Sequence, residues 1–192
     1  DRLAAAVDRG TRWVGYSDFS ALLLGLMAHG GAGAPAGWHG PLACDDFGRS
    51  EAEGGLDEIT PDCFVEAMSG ALEAVGFRTE AGHDGLHARG TLWGGNLCML
   101  TSLLGTPHWP KAATTRGGIL FLEDVNEHPY RVERSLLQLH QAGVLDAQKA
   151  VLLGDFSGYR RSPLDRGYRL KTAIEFLRGQ TRTPVLTGLP FG

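Results

Sequence analysis

The chain carries no marked excess of either charge. Its 18 basic and 22 acidic residues leave a net −4, which gives no electrostatic reason to expect nucleic acid or an acidic membrane as a partner. Long hydrophobic runs are missing too: the most extended, residues 21–28, is too short to span a bilayer. Cysteine is scarce. Cys44, Cys63 and Cys98 are odd in number and lack metal-ligand spacing, so they are expected to be reduced, buried thiols of a cytosolic protein. Several chemical signatures are also absent. The glycines from Gly90 to Gly95 form neither G-x-G-x-x-G nor a P-loop, so they do not imply a nucleotide. Asp45, Asp46, His83, Asp84 and His87 bring ligand types together, but no histidine-plus-carboxylate arrangement recurs, and no metal site is expected. There is no internal repeat and no low-complexity segment.

What remains is the composition of a globular protein, 43% apolar and 21% charged. At 192 residues it holds one domain, or one domain plus part of another. It opens at Asp1 rather than Met and runs straight into Arg2-Leu3-Ala4-Ala5-Ala6-Val7, a helix already under way, so Asp1 is not expected to be the natural start. Residues 11–16 suggest a short strand, 18–29 a helix, 30–35 a loop, and 37–41 a further strand and turn. Residues 45–57, rich in glycine and acids, suggest a linker. Phe64, Met68, Leu72 and Val75 form a stripe that predicts a helix over 61–75, and 76–90 reads as loop with short strands.

From Gly90 the pattern sharpens. Residues 90–95 read as a turn-rich approach to a helix over 96–104. Residues 119–124 and 150–156 have the uninterrupted apolar pattern of strands buried on both faces. Helices are expected at 129–143 and 167–179, with a third strand at 184–188. The alternation argues for an α/β layer with a largely parallel sheet. The divisions expected are 1–44, 45–85 as linker and connecting helix, and 86–192.

Two places could carry chemistry. Ser17 lies between a strand and a helix, where its hydroxyl can be exposed beside the backbone N–H groups of the next turn. G-x-S-x-G is not met, because Phe19 replaces the second glycine, and capping of the helix by Ser17 or Asp18 is the commoner use of such a position. Glu123 and Asp124 end a buried strand, and either could orient a histidine; alternatively either could pair with Arg131 or Arg134. His39, His108, His128 and His140 are the histidines to test, and no spacing singles one out.

Four segments together resemble one family. They are Val14-Gly15-Tyr16-Ser17-Asp18-Phe19-Ser20-Ala21, Gly90-Thr91-Leu92-Trp93-Gly94-Gly95-Asn96-Leu97, the stretch from Ile119 through Glu123-Asp124-Val125-Asn126-Glu127-His128-Pro129 to Arg134, and Pro184 through Thr187-Gly188-Leu189-Pro190-Phe191-Gly192. With His39-Gly40-Pro41, they look like the LD-carboxypeptidases, the muramoyl-tetrapeptide carboxypeptidases or S66 serine peptidases. The resemblance implies a Ser-Glu-His triad with Ser17 as nucleophile and Glu123 orienting the histidine, which in the family directly follows the Phe-Gly that is here Phe191-Gly192. It implies an oxyanion hole that uses the Asp18 N–H and a Gly-rich loop upstream of residue 1. It further implies a Rossmann-like N-terminal domain, a smaller C-terminal α/β domain, a homodimer, no cofactor, and release of D-alanine from cytoplasmic muropeptide tetrapeptides in cell-wall recycling. Trp93 and Asn96 are candidates for lining the substrate cleft, with core packing the equal alternative for Trp93.

Two other functions compete. One is a microcin-immunity-type S66 peptidase that cuts a peptidyl-nucleotide amide; the other is a non-catalytic peptide-binding module. On this resemblance the chain is expected to be a fragment that turns over no substrate by itself. Sequencing one codon past Gly192 is expected to reveal histidine, and any other residue there would count against the assignment.

Overall fold

The two uninterrupted apolar runs become the centre of a sheet. The computed structural model describes residues 2–30 and 37–192. In it, β1 (Leu92–Asn96), β2 (Ile119–Val125), β3 (Ala150–Ser157) and β4 (Val185–Thr187) form a parallel sheet in sequential order. Parallel neighbours need crossovers, and crossovers share one hand. A sheet in sequential order therefore collects its connecting helices on one face. Here α4 (Leu97–Ser102) packs on α6 (Pro129–Gln141), and α6 packs on α7 (Leu170–Arg178). The short α5 (Ala112–Thr115) completes the first crossover.

The core lies between that helical layer and the sheet. Val132, Leu136 and Leu139 recur at helical spacing on α6 and meet Leu120, Leu122, Val151 and Leu153 from the strands and Leu177 from α7. Leu120 and Leu122 share this face, so strand alternation turns Phe121 and Glu123 to the other. That second face receives the N-terminal part of the chain. Helix α1 (Arg2–Asp8) precedes, and helix α2 (Phe19–His29) lies between, the two residues of a parallel bridge, Val14 and Trp38, and α2 packs on β1 and α4.

The segment ahead of β1 is fastened to the far edge of the sheet. The Thr79 hydroxyl accepts from the Thr187 N–H at 3.2 Å, and Thr187 Oγ1 donates to Glu80 Oε2 at 2.6 Å. Arg178 reaches the same carboxylate at 3.0 Å. The Thr187 hydroxyl holds Glu80 down to about 2, with Arg178 assisting.

Several sequence expectations need correction. Residues 90–95 are largely strand β1 rather than a turn. The strand over 11–16 reduces to the bridge at Val14, and among the described residues 76–90 holds no strand outside that region. The helix over 61–75 is α3 (Ile59–Ser69), ended by Gly70 in the left-handed region at φ 81, which leaves Leu72 and Val75 off the helix. The three cysteines are exposed: Cys63 lies on α3, none of whose residues is buried, and Cys98 opens α4. The loop over 30–35 lies outside the described residues from 31 onward. Among the described residues, no helix is long and apolar enough to cross a membrane.

Leu136 is fully buried, whereas Arg134, on the same helix, is exposed. Leu136→Ala is expected to cost about 3 kcal/mol and Arg134→Ala less than about 0.5 kcal/mol. Urea denaturation of the two variants checks this, and equal losses would contradict the assigned core.

Candidate active site

Ser17 stands at the turn into α2 with φ 55, a left-handed conformation rare for a residue with a side chain. Such strain costs about 1–3 kcal/mol and persists only where the surroundings impose it. They do so here. Tyr16 O accepts from Phe19 N at 3.1 Å, and Ser17 O accepts from Ser20 N at 2.9 Å. The Tyr16 hydroxyl lies 3.3 Å from Asp45 and 3.5 Å from Asp46, and the Asp46 carboxylate is held by Leu42 N at 2.7 Å. Burial, then the two carboxylates, push Tyr16 up to about 12. The capping alternative is not what the structure contains: Asp18 occupies the cap position and makes no side-chain cap hydrogen bond. Among the described residues, neither the Ser17 hydroxyl nor the Asp18 amide has a hydrogen-bond partner.

The turn is tied to the sheet through Ser20 and Asn96. Ser20 Oγ, fully buried, accepts from Asn96 N at 3.1 Å at the end of β1. Asn96 is 4% exposed and its side chain is used twice. Oδ1 accepts from Met99 N at 3.0 Å, capping α4, and Nδ2 donates to Asp124 Oδ1 at 3.1 Å. Asn96 is thus a support within the site, with both ends of its amide already occupied.

Glu123 and Asp124 are adjacent in sequence and differ in environment. Asp124 also accepts from Cys98 N at 3.0 Å and from Val125 N at 2.9 Å; burial raises its pKa. Glu123 is 3% exposed, yet its Oε1 has no partner among the described residues. Burial, then the Asp124 charge, push Glu123 up to about 7. The chain returns to it at Gly192, where a Cβ would lie 2.8 Å from Glu123 Cβ. Neither carboxylate pairs with an arginine; Arg131 lies 3.8 Å from Glu127 instead.

A cavity of about 400 Å³ opens beside this edge, lined by Tyr16, Trp38, His39, Phe64, Phe191 and Gly192 among others. Ser17 and Glu123 do not line it, but Tyr16, the neighbour of Ser17, and Gly192, which approaches Glu123, do. His39 packs edge-on against Phe121 and Phe191, with ring centres 4.9 and 6.2 Å away, and burial lowers it to about 4. The other candidate histidines lie elsewhere. His108 bonds His29 at 3.0 Å, His128 lies 3.1 Å from Asp165, and His140 lies 3.6 Å from Asp146. Trp93 belongs to the core rather than to a cleft. It is 3% exposed and donates to Gln148 at 2.9 Å. Among the described residues, no three His, Cys, Asp or Glu side chains gather as a metal ion would require. Tyr16 and Ser20 are the site residues that sequence reasoning left without a role, and only their closeness to Ser17 could have flagged them; His39, one of the histidines to test, lines the cavity.

A carboxyl raised above its ordinary value favours the folded state only while protonated. Glu123 therefore costs nothing in acid, and its cost grows as pH rises from the ordinary carboxylate range through about 7. Glu123→Gln is expected to stabilise the chain by about 1–3 kcal/mol at pH 8 and hardly at all at pH 4. Melting curves at both pH values check the sign, and a gain confined to acid would refute it.

The model of the LD-carboxypeptidase C-terminal domain matches residues 89–192. The murein tetrapeptide carboxypeptidase of Pseudomonas aeruginosa is 36% identical over all of this chain and 60% of its own length. A probable murein peptide carboxypeptidase of Bacillus subtilis is 30% identical over 93% of this chain and 53% of its own. The crystal structure of the muramoyltetrapeptide carboxypeptidase from Oxalobacter formigenes superposes with a TM-score of 0.81 at 39% identity, over 99% of this chain and 62% of that one. The chain thus spans between about half and three-fifths of these relatives. The motifs read from the sequence, the parallel α/β sheet and these matches agree: the chain belongs to the S66 family of LD-carboxypeptidases.

Proposed function

We propose that the protein carrying this chain is a serine-type LD-carboxypeptidase that releases the terminal D-alanine of muropeptide tetrapeptides. One observation carries the reading: a serine held in a left-handed turn with its hydroxyl free, on the sheet edge that also buries a carboxylate with an unpartnered oxygen. Ser17 Oγ attacks the carbonyl carbon of the scissile amide while a histidine takes its proton. Glu123 orients that histidine and stabilises the imidazolium. The Asp18 N–H donates to the oxyanion. The protonated amine of D-alanine leaves, and water hydrolyses the acyl-enzyme. In the family the histidine follows the Phe-Gly pair matched by Phe191-Gly192, and the close approach of Gly192 to Glu123 supports the pairing of that histidine with Glu123.

None of the described histidines bonds Ser17 or Glu123, so residues 1–192 alone are proposed to be inactive. The cytoplasmic setting, the homodimer, the independence from cofactors and the division into 1–44, 45–85 and 86–192 belong to the same proposal. A microcin-type specificity is the second reading, supported by the microcin C7 self-immunity protein of Escherichia coli, 28% identical over 91% of this chain.

In the full-length protein, Ser17→Ala is expected to lower kcat for D-alanine release at least a thousandfold with little change in substrate affinity. Retained turnover would remove Ser17 from the nucleophile role. Assayed side by side, muropeptide tetrapeptide is expected to be cleaved and a peptidyl-nucleotide amide to be spared; the reverse preference would establish the second reading.

A further inference from the structure

One carboxylate beside Glu123 has no part in the triad chemistry. It is Asp155, and β3 breaks its own alternation to put it there. Leu122 pairs with Leu153 and Asp124 with Phe156, so between these pairs β2 has one residue, Glu123, and β3 has two, Gly154 and Asp155. This is a β-bulge, which re-aims the side chains of the strand that contains it. Val151 and Leu153 face the helical layer, and unbroken alternation would send Asp155 there as well. Phe156 joins that core instead, and Asp155 is exposed. The chain after β4 is laid over the bulge: Asp155 N donates to Phe191 O at 2.8 Å, and Leu189 N donates to Leu153 O at 3.2 Å. Glycine at 154 makes room, since a Cβ there would collide with Phe191 O. Gly192 follows, and a Cβ on it would lie 2.8 Å from Glu123 Cβ and 3.2 Å from Asp155 Cβ. Gly192 is thus wedged between two carboxylate-bearing residues of neighbouring strands.

Resting on the serine-peptidase reading above, we propose that Asp155 is a positioning residue of the hydrolysis, whose carboxylate stabilises the imidazolium formed when the histidine takes the Ser17 proton. In the family that histidine follows the Phe-Gly pair matched by Phe191-Gly192, which brings it beside both carboxylates. Their surroundings divide the work. Glu123, 3% exposed, orients the ring from a buried position; Asp155, in contact with water, adds negative charge without the cost of burying it. Other groups meet Glu123 from the neighbouring elements. Asp124 lies next to it on β2 but is tied to Asn96 and the start of α4. Asn96 of β1 is neutral, and His39, packed on Phe121, is held neutral by burial. Asp18 and Glu127 act on Cys98. Burial, then Asp124, raise Glu123, and Asp155 adds to the rise, so the field of Asp155 does reach the triad carboxylate.

The test is the pH dependence of kcat/KM in the full-length protein. A neutral residue at 155 makes the imidazolium less stable, so the histidine loses its proton at lower pH. Asp155→Asn is therefore expected to move the acid limb of the profile down by about half a pH unit or more. Its plateau is expected to fall about threefold, through kcat with KM little changed. Asp155→Glu restores the charge and is expected to return the limb to the parent's position. Asp155→Ser supplies a second neutral side chain should asparagine disturb the bulge. A lower rate with an unmoved limb in the neutral variants would reduce Asp155 to a structural part and overturn the proposal, as would an upward shift. The carboxyl carbon-13 resonance of Glu123 gives a reading without turnover. Its titration is expected to move to lower pH in Asp155→Asn, and an unmoved titration would also overturn the proposal. A parent that releases no D-alanine brings down the peptidase reading and the role of Asp155 together; a parent that turns over, with limb and titration unmoved by Asp155→Asn, brings down the role of Asp155 alone.

Discussion

Everything at the sheet edge hangs on Asn96. Its N–H is accepted by Ser20, its side-chain oxygen caps α4, and its side-chain nitrogen holds Asp124. One buried residue therefore joins α2, the first strand, the first crossover helix and the central strand β2. Buried polar groups are costly unless paired, so this junction tolerates little displacement. It also keeps Ser17, one helical turn before Ser20, in register with Glu123, which pairs with Asn96 in the β1–β2 ladder. The separation of roles between two adjacent carboxylates has the same origin. Asp124 is taken up by Asn96 and the start of α4, and Glu123, on the opposite face, keeps its Oε1 without a partner among the described residues.

Much of this architecture is legible in the sequence, and the parts that are not have physical reasons. Strands β2 and β3 announce themselves because both faces are buried and no polar residue interrupts them until the functional end. Strand β1 is hidden by Gly94-Gly95, which reads as turn chemistry. In the fold those glycines serve close approach: Gly94 meets the Phe121 backbone, and Gly95 leaves room for Ser20 and His39. Apolar spacing continues past Gly70 and so predicts a longer α3, but the left-handed conformation of Gly70 stops the helix. Residue types alone left Glu123 and Asp124 open, since only pairing register assigns them to faces. The partnership of His39 with residues far along the chain has no local signature at all.

The family likeness and the geometry address different questions. The matches cover nearly all of this chain and only part of the relatives, so they speak most firmly about fold and lineage. Chemistry has to be argued from the site, because one fold can host several specificities; the microcin-type structures share the topology at a TM-score of 0.71 and 22% identity. What the site adds is a strained serine, a buried carboxylate with a spare oxygen and a cavity lined by the residues Tyr16 and Gly192 that neighbour them.

The fastening of residues 79 and 80 to β4 has a further consequence. β4 is three residues long and lies at the border of the sheet, where unpaired backbone groups invite pairing with another chain. Thr79 takes up one of those N–H groups, and the Glu80–Arg178–Thr187 cluster sets charge along the rest. The connecting segment thus covers part of an edge that would otherwise be open to another strand. The same short stretch that leads the chain toward β1, at one border of the four described strands, is bonded to β4 at the other.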